Sequence, residues 1–432
     1  MLNRLKPKSE FSKNVLTLMT GTTIAQAIPI AISPILTRIY TPEDFGLFAL
    51  FIAITSIFGS IANGRYELAI VLPKKDEDAI NIFALGFIIT SFISLFLLII
   101  ILLFQDNFVT LLKNEDIGIW LYFVPIAVFF TGLFNILNYF NNRQKNYKDL
   151  AKATVLKSMV LAIIQLSVGF IKQGATGLIS GQIISQFFAN TKLLKNILKD
   201  KILISKITKV KMIALAKQYK DFPKYSMVST LFNSGSNIGM PIIISIFFTT
   251  STVGFYFFAN KMVKLPLGLV FASFSQVYHQ KAAELYNNNN VNELYKFTLR
   301  TQYKIGILLI PTLIIISLVS PYIFSIVFGE KWFIAGEYVK YFAVFVFFNS
   351  LYSPISTLGD ILNKQKLLMY FNFSLVFTQI ITMAMCVDLL TLNFEYTILS
   401  VSIVGSIHFL LLNMYIIKTL KEKRNYNNEA IN

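Results

Sequence analysis

Four charged side chains stand in apolar surroundings that should hold none. Arg65 and Glu67 close a long hydrophobic run that opens at Pro42, while Lys261 and Lys264 interrupt another that begins near Ser251. Charged groups at membrane depth are costly and persist where they face a wet cavity or one another. Cations in such a place are suited to hold an anion, above all a phosphate group, through charge-assisted hydrogen bonds. Polar residues accompany them as candidate cavity lining: Asn63 and Tyr66 on the same stretch as Arg65, Gln26 on the first apolar run, and Asn233 and Asn237 four apart in the second half. For the asparagines, hydrogen bonding between helices is the competing reading. The carboxylates Glu67 and Asp360 are candidates for ion coupling, with pairing of Glu67 to a basic residue as the alternative.

The elements that must carry these residues follow from composition. Hydrophobic residues make up 55% of the 432 and charged residues 14%, with a mean hydropathy of +0.62. That exceeds what an ordinary globular domain holds, and the polar residues sit between apolar blocks of spanning length. The expected fold is an all-α polytopic membrane protein. Candidate spans fall at roughly 14–37, 43–72, 79–104, 117–140, 151–171 and 174–193, then, after a basic connector, at 222–248, 252–280, 302–320, 333–360, 367–388 and 396–418. Ala25-Gln26-Ala27 resembles a signal-peptidase site, but the apolar run continues to Leu36, so it is read as a retained first helix.

The net charge of +17 does not point to nucleic acid here. Thirty of the 39 basic residues fall in one alternate set of loops and five in the other, which orients both termini to the cytoplasm. A lone Cys386 and the well-separated His279 and His408 give no metal-ligand spacing, so neither a metal nor a cofactor is expected. No outer loop reaches the size of a folded domain, which argues against an enzyme.

Along an unbroken helix Arg65 would lie about 35 Å from Pro42, nearer the cytoplasmic face than the midplane, where snorkelling to headgroups is the alternative to cavity lining. Glu67, two residues on, should then point away from Arg65, and Asn63 and Glu67 should share a face. Lys261 and Lys264, three apart, should share one face about 15–20 Å below the outer surface, too deep to snorkel easily. Pro29, Pro34 and Pro241 are expected to bend the first and seventh helices, as are Pro125, Pro266, Pro311 and Pro354 elsewhere.

The halves repeat. Thr41-Pro42-Glu43-Asp44-Phe45-Gly46-Leu47-Phe48 matches Thr249-Thr250-Ser251-Thr252-Val253-Gly254-Phe255-Tyr256, and Asn141 to Tyr147 (N-N-R-Q-K-N-Y) matches Leu362 to Leu368 (L-N-K-Q-K-L-L). The second and eighth helices become symmetry mates, and their cations could face one cavity. The expectation is twelve transmembrane helices in two pseudo-symmetric six-helix lobes around a central cavity. These are an N-terminal lobe at 1–200, a basic connector at 201–221, a C-terminal lobe at 222–420 and a hydrophilic tail at 421–432.

The runs Leu36 to Leu50 (L-T-R-I-Y-T-P-E-D-F-G-L-F-A-L), Gly64 to Pro73 (G-R-Y-E-L-A-I-V-L-P) and Lys74 to Ala79 (K-K-D-E-D-A) resemble bacterial polysaccharide transporters. These are Wzx-type O-antigen flippases of the multidrug/oligosaccharidyl-lipid/polysaccharide exporter superfamily. The resemblance implies a bacterial inner-membrane protein that moves undecaprenyl-pyrophosphate-linked oligosaccharide to the periplasmic leaflet by alternating access. It implies a cationic lining, matched here by Arg65, Lys261 and Lys264, and a polysaccharide polymerase and chain-length regulator as partners. Multidrug exporters of the superfamily usually carry an acidic coupling residue in the first or seventh helix; 14–37 and 222–248 hold none. The lipid II flippase branch carries two further helices, for which no apolar segment remains after 418. A cation-coupled multidrug exporter on the same fold is the alternative function, and a polymerase is a third.

Overall fold

The computed structural model describes residues 10–429 apart from 173 and 363, with side chains described except at 10–16, 269–270, 272–273, 276–277, 360, 365 and 426–429. Helices are the only regular elements among the described residues. In chain order they are α1 (Glu10–Ile39), α2 (Pro42–Gly59), α3 (Asp76–Leu112), α4 (Ile117–Leu121), α5 (Val124–Arg143), α6 (Tyr147–Ile171), α7 (Thr176–Lys199), α8 (Lys201–Ile204) and α9 (Lys209–Gln218). There follow α10 (Met227–Ile238), α11 (Met240–Phe247), α12 (Thr250–Asn287), α13 (Val291–Phe328), α14 (Phe333–Tyr352), α15 (Leu358–Ile361), α16 (Gln365–Ala384) and α17 (Phe394–Glu429).

Among the described residues, eight stretches are long and apolar enough to cross a membrane: Thr17–Ile39, Pro42–Gly59, Asp76–Leu112, Ile117–Arg143, Tyr147–Ile171, Val291–Phe328, Lys366–Leu389 and Phe394–Asn425. The other four expected spans correspond to α7, α10 with α11, α12, and α14 with α15. Those segments are helical but more polar or interrupted: Gly239 separates α10 from α11, and α12 carries Lys261 and Lys264. Prolines also behave in two ways. Pro29, Pro34, Pro266, Pro311 and Pro321 lie inside helices. Pro125 and Pro241 stand in the first turns of α5 and α11 and Pro354 in a 3-10 turn, so they start or separate helices rather than bend them. At Pro34 the carbonyl of Ile30, which proline's missing N–H cannot reach, accepts instead from the Ser33 hydroxyl at 2.6 Å.

Contacts group the chain into two compact units, Met1–Gly254 and Phe255–Asn432. In the first, α1 lies along α6 and α6 along α7. Tyr40 fastens the three: its hydroxyl donates to the Gln165 carbonyl at 2.6 Å and fills the space left by Gly169 and Gly177. A second core joins α3, α5 and α9 through Ile80, Ile82, Ile136, Leu137 and Leu215. The Phe255–Asn432 unit has its own core of Tyr278, Leu294, Leu358, Phe409 and Ile416. Beside it, Phe258, Phe324 and Phe328 pack edge to face, and Trp332 lies tilted against Phe258 with ring centroids 4.5 Å apart. Gln302 Nε2 donates to Asn413 Oδ1 at 2.5 Å, linking α13 to α17.

The repeated hinge has the same construction twice. Thr41 caps α2, its Oγ1 accepting from Asp44 N at 3.3 Å while Asp44 Oδ2 accepts from Thr41 N at 2.9 Å. Thr249 makes the first of these bonds for α12, its Oγ1 accepting from Thr252 N at 3.3 Å. The two glycines of the repeat also meet: a Cβ on Gly254 would overlap the Pro42 carbonyl and lie 2.8 Å from Gly46 N, and one on Gly46 would overlap the Thr250 carbonyl. Ser251 donates to Glu43 and Asn114 Nδ2 donates to Thr250 Oγ1 at 2.7 Å, closing the junction with side chains.

Candidate functional site

The site is built where α2 stops. The sequence suggested a helix through 43–72; α2 instead ends at Gly59, after 18 residues. Two successive left-handed residues, Gly64 (φ 58°) and Arg65 (φ 64°), then turn the chain into a 3-10 segment over Tyr66–Val71. For arginine that conformation is uncommon and is held by its surroundings. Asn135 Nδ2 donates to the Gly59 carbonyl at 3.2 Å, and Asn63 Nδ2 donates to Thr90 Oγ1 at 2.6 Å and the Gly132 carbonyl at 3.0 Å. Arg143 staples the far end, donating to the carbonyls of Ile70 (3.2 Å) and Pro73 (2.7 Å) and pairing with Asp76 at 2.8 Å.

This backbone reverses two expectations drawn from a straight helix. Arg65 and Glu67 do not diverge: Arg65 Nη1 meets Glu67 Oε1 at 3.1 Å. Asn63 and Glu67 do not share a helical face, because 60–65 forms a run of turns rather than α-helix. Glu67 is 2% exposed and Arg65 23%, so the carboxylate lies deep and the guanidinium reaches outward. Glu67 Oε2 is buried with no hydrogen-bond partner among the described residues. Arg65 Nε also donates to Ser226 Oγ at 3.4 Å, in the π-turn that leads into α10. Tyr139, from α5, packs against the core that holds Tyr66 and Ile70.

The other proposed residues are distributed as follows. Tyr66 is buried, and its hydroxyl donates to the Ala216 carbonyl on α9 at 3.0 Å. Gln26 is half-buried on α1. Asn233 and Asn237 are exposed on α10, where Asn237 Nδ2 donates to Asn233 Oδ1 at 3.0 Å. Nearby, Ser234 donates to Ser60 at 3.1 Å, tying α10 to the end of α2. The side chain of Asp360 lies outside the described residues.

In the Phe255–Asn432 unit, Lys261 and Lys264 are half-buried three residues apart on α12. The Lys261 ammonium stands 5.8 Å from the Phe257 ring centroid and that of Lys264 5.7 Å from Phe345. Lys157 on α6 is half-buried in a like way, 5.4 Å from Phe134. Among the described residues no carboxylate pairs with Lys157 or Lys264. Arg143, Tyr139, Ser226 and Lys157 were not picked out as site residues from sequence. A lysine in an apolar stretch was the visible signal for Lys157, whereas the other three depend on tertiary folding.

The fold is similar to those of solved membrane transporters of the MOP superfamily. An inward-facing multidrug resistance MATE family transporter superposes with a TM-score of 0.69 at 13% identity, covering 94% of this chain and 96% of that one. The lipid II flippase MurJ in an inward closed conformation gives 0.69 at 16% identity, covering 96% and 90%. A MOP superfamily transporter from Pyrococcus furiosus, with a binding pocket of reversed polarity, gives 0.60 at 13% identity, covering 95% and 96%. Among curated proteins none matches this chain. Residues 35–337 match the family described as polysaccharide biosynthesis protein, and the chain belongs to that family. Family and fold together support a membrane flippase or transporter and agree with the Wzx-type resemblance of the motifs.

Proposed function

We propose that the protein is a flippase for undecaprenyl-pyrophosphate-linked oligosaccharide, an O-antigen or related surface-polysaccharide repeat unit. It moves this substrate from the cytoplasmic to the periplasmic leaflet of the bacterial inner membrane by alternating access. Twelve helices form its two six-helix lobes, over 1–200 and 222–420, with both termini cytoplasmic. Arg65, Lys261 and Lys264 take the pyrophosphate oxygens, while Gln26, Asn63, Tyr66, Asn233 and Asn237 line the polar path. A polysaccharide polymerase and a chain-length regulator act downstream as partners.

The observation that carries this reading is the state of Arg65 in a chain of this family. The guanidinium is partly exposed, on a strained turn, and engaged by a carboxylate that is itself buried. An incoming phosphate would compete with Glu67 for the same donors, and a bidentate phosphate is a strong competitor. Release leaves Glu67 buried without its cation, which favours its protonated form. Glu67 is thereby the proposed ion-coupling carboxylate, with Asp360 as the second candidate.

Replacement of Arg65 or Lys261 by alanine should abolish surface polysaccharide in a host that depends on this protein, while membrane insertion, read by immunoblot of the membrane fraction, persists. Normal polysaccharide in both variants would remove these residues from the site. A cation-coupled drug exporter would instead raise resistance to lipophilic cations on overexpression.

A further inference from the structure

The short helix α9 presents two chemically distinct faces, and the flippase reading uses neither. One is fully engaged. Leu215 is buried in the core, Lys211 pairs with Glu77 of α3, and Thr208 caps the helix while its N–H donates to Asn81 Oδ1 at 2.9 Å. Asn81 Nδ2 completes the clamp by donating to the Lys206 carbonyl at 3.0 Å.

The other face is a single stripe. Lys209, Met212, Ile213, Ala216 and Lys217 follow the three-and-four spacing that brings residues onto one side of a helix, and Lys220 continues the stripe from the turn after α9. Together with Leu85 and Ile88 of α3 this stripe lines a groove of about 420 Å³. Its middle is apolar, with Ile88 52% and Ile213 47% exposed, and all three of its lysines are exposed. None of the described residues lining it is acidic. Apolar walls with a lysine at one end and two at the other complement an amphiphile with an anionic head, and basic pockets beside membrane helices bind such headgroups.

We propose that the groove between α3 and α9 holds an anionic glycerophospholipid of the adjoining leaflet, its phosphate on Lys217 and Lys220 and an acyl chain against Leu85, Ile88 and Ile213, with Lys209 adding positive charge at the groove's other end. The occupant sits beside Ala216, whose carbonyl receives the Tyr66 hydroxyl, so the lipid braces the helix that anchors the Arg65 turn. The site does not depend on the nature of the transported substrate.

The test uses the purified full-length protein, delipidated in neutral detergent, with equal amounts of phosphatidylglycerol and phosphatidylcholine added and retained lipid counted by native mass spectrometry. The protein is expected to favour phosphatidylglycerol by roughly tenfold or more. The triple variant Lys209→Gln, Lys217→Gln, Lys220→Gln is expected to lose that preference to within about twofold with an unchanged thermal midpoint, since all three side chains are exposed. A control carrying Lys74→Gln and Lys75→Gln, exposed lysines outside the groove, is expected to keep it. Equal retention of both lipids, or a preference that survives the triple variant, overturns the proposal. Displacement of phosphatidylglycerol by equimolar undecaprenyl phosphate overturns the assigned occupant and gives the groove to a polyprenyl lipid.

Discussion

Arg65 and Glu67 show how a two-residue spacing acquires a different meaning once the backbone leaves the helix. On a helix they would sit on different sides; on the left-handed turn they form an ion pair at 3.1 Å between a buried carboxylate and a partly exposed guanidinium. The sequence contained the signal, since Asn63-Gly64 is a strong turn dipeptide. The apolar residues on both sides outweighed it, because hydrophobic continuity reports burial and not backbone direction. Removing one charge from a buried pair leaves the other uncompensated. Glu67→Gln should therefore cost about 1–3 kcal/mol, reduced from the fully buried case because Arg65 is partly exposed. Denaturation of the variant in detergent checks this. An unchanged midpoint would mean the pair contributes nothing to the fold and Glu67 is present for transport alone.

At the scale of elements, the repeat read from T-P-E-D-F-G and T-T-S-T-V-G reappears as two helix starts with the same threonine cap. The sequence did not reveal that these starts touch each other, because similarity between two segments carries no information about their separation in space. Gly46 and Gly254 make the contact possible, each lying against a backbone carbonyl that has no room to yield. Gly254→Ala should destabilise by roughly 1–3 kcal/mol, the range for overpacking. Gly306→Ala offers the contrast: its nearest neighbour, Leu351 Cδ1, is 3.9 Å from a built Cβ, and alanine suits the interior of α13 better than glycine. Parallel thermal melts should show a fall in the first variant and no fall in the second. Equal behaviour would contradict the close crossing.

For the whole molecule, composition sufficed for an all-helical membrane protein. Among the described residues the twelve segments read from apolar runs emerged as fifteen helices, with two more in the connector, and eight stretches have spanning length and apolarity. The difference lies in segments such as α10 and α11, where glycine and proline interrupt an otherwise apolar run, and in the basic connector, which folds into α8 and α9 rather than remaining open chain. The cations were legible individually as charges in apolar surroundings. Their partners were not: Ser226, Tyr139 and Arg143 reach the Arg65 turn from other helices, at sequence separations that no local pattern encodes.

The central claim is that a lipid-linked pyrophosphate is carried on Arg65 and the α12 lysines. It is tested most directly by reconstituting the protein into vesicles and following transbilayer movement of a fluorescent short-chain polyprenyl-pyrophosphate sugar. The wild type should move it faster than protein-free vesicles, and Arg65→Gln and Lys264→Gln should each slow it by roughly tenfold or more, as expected for loss of a charge-assisted contact of about 1.4 kcal/mol or above. Movement no faster than in protein-free vesicles, or undiminished in both variants, would contradict it.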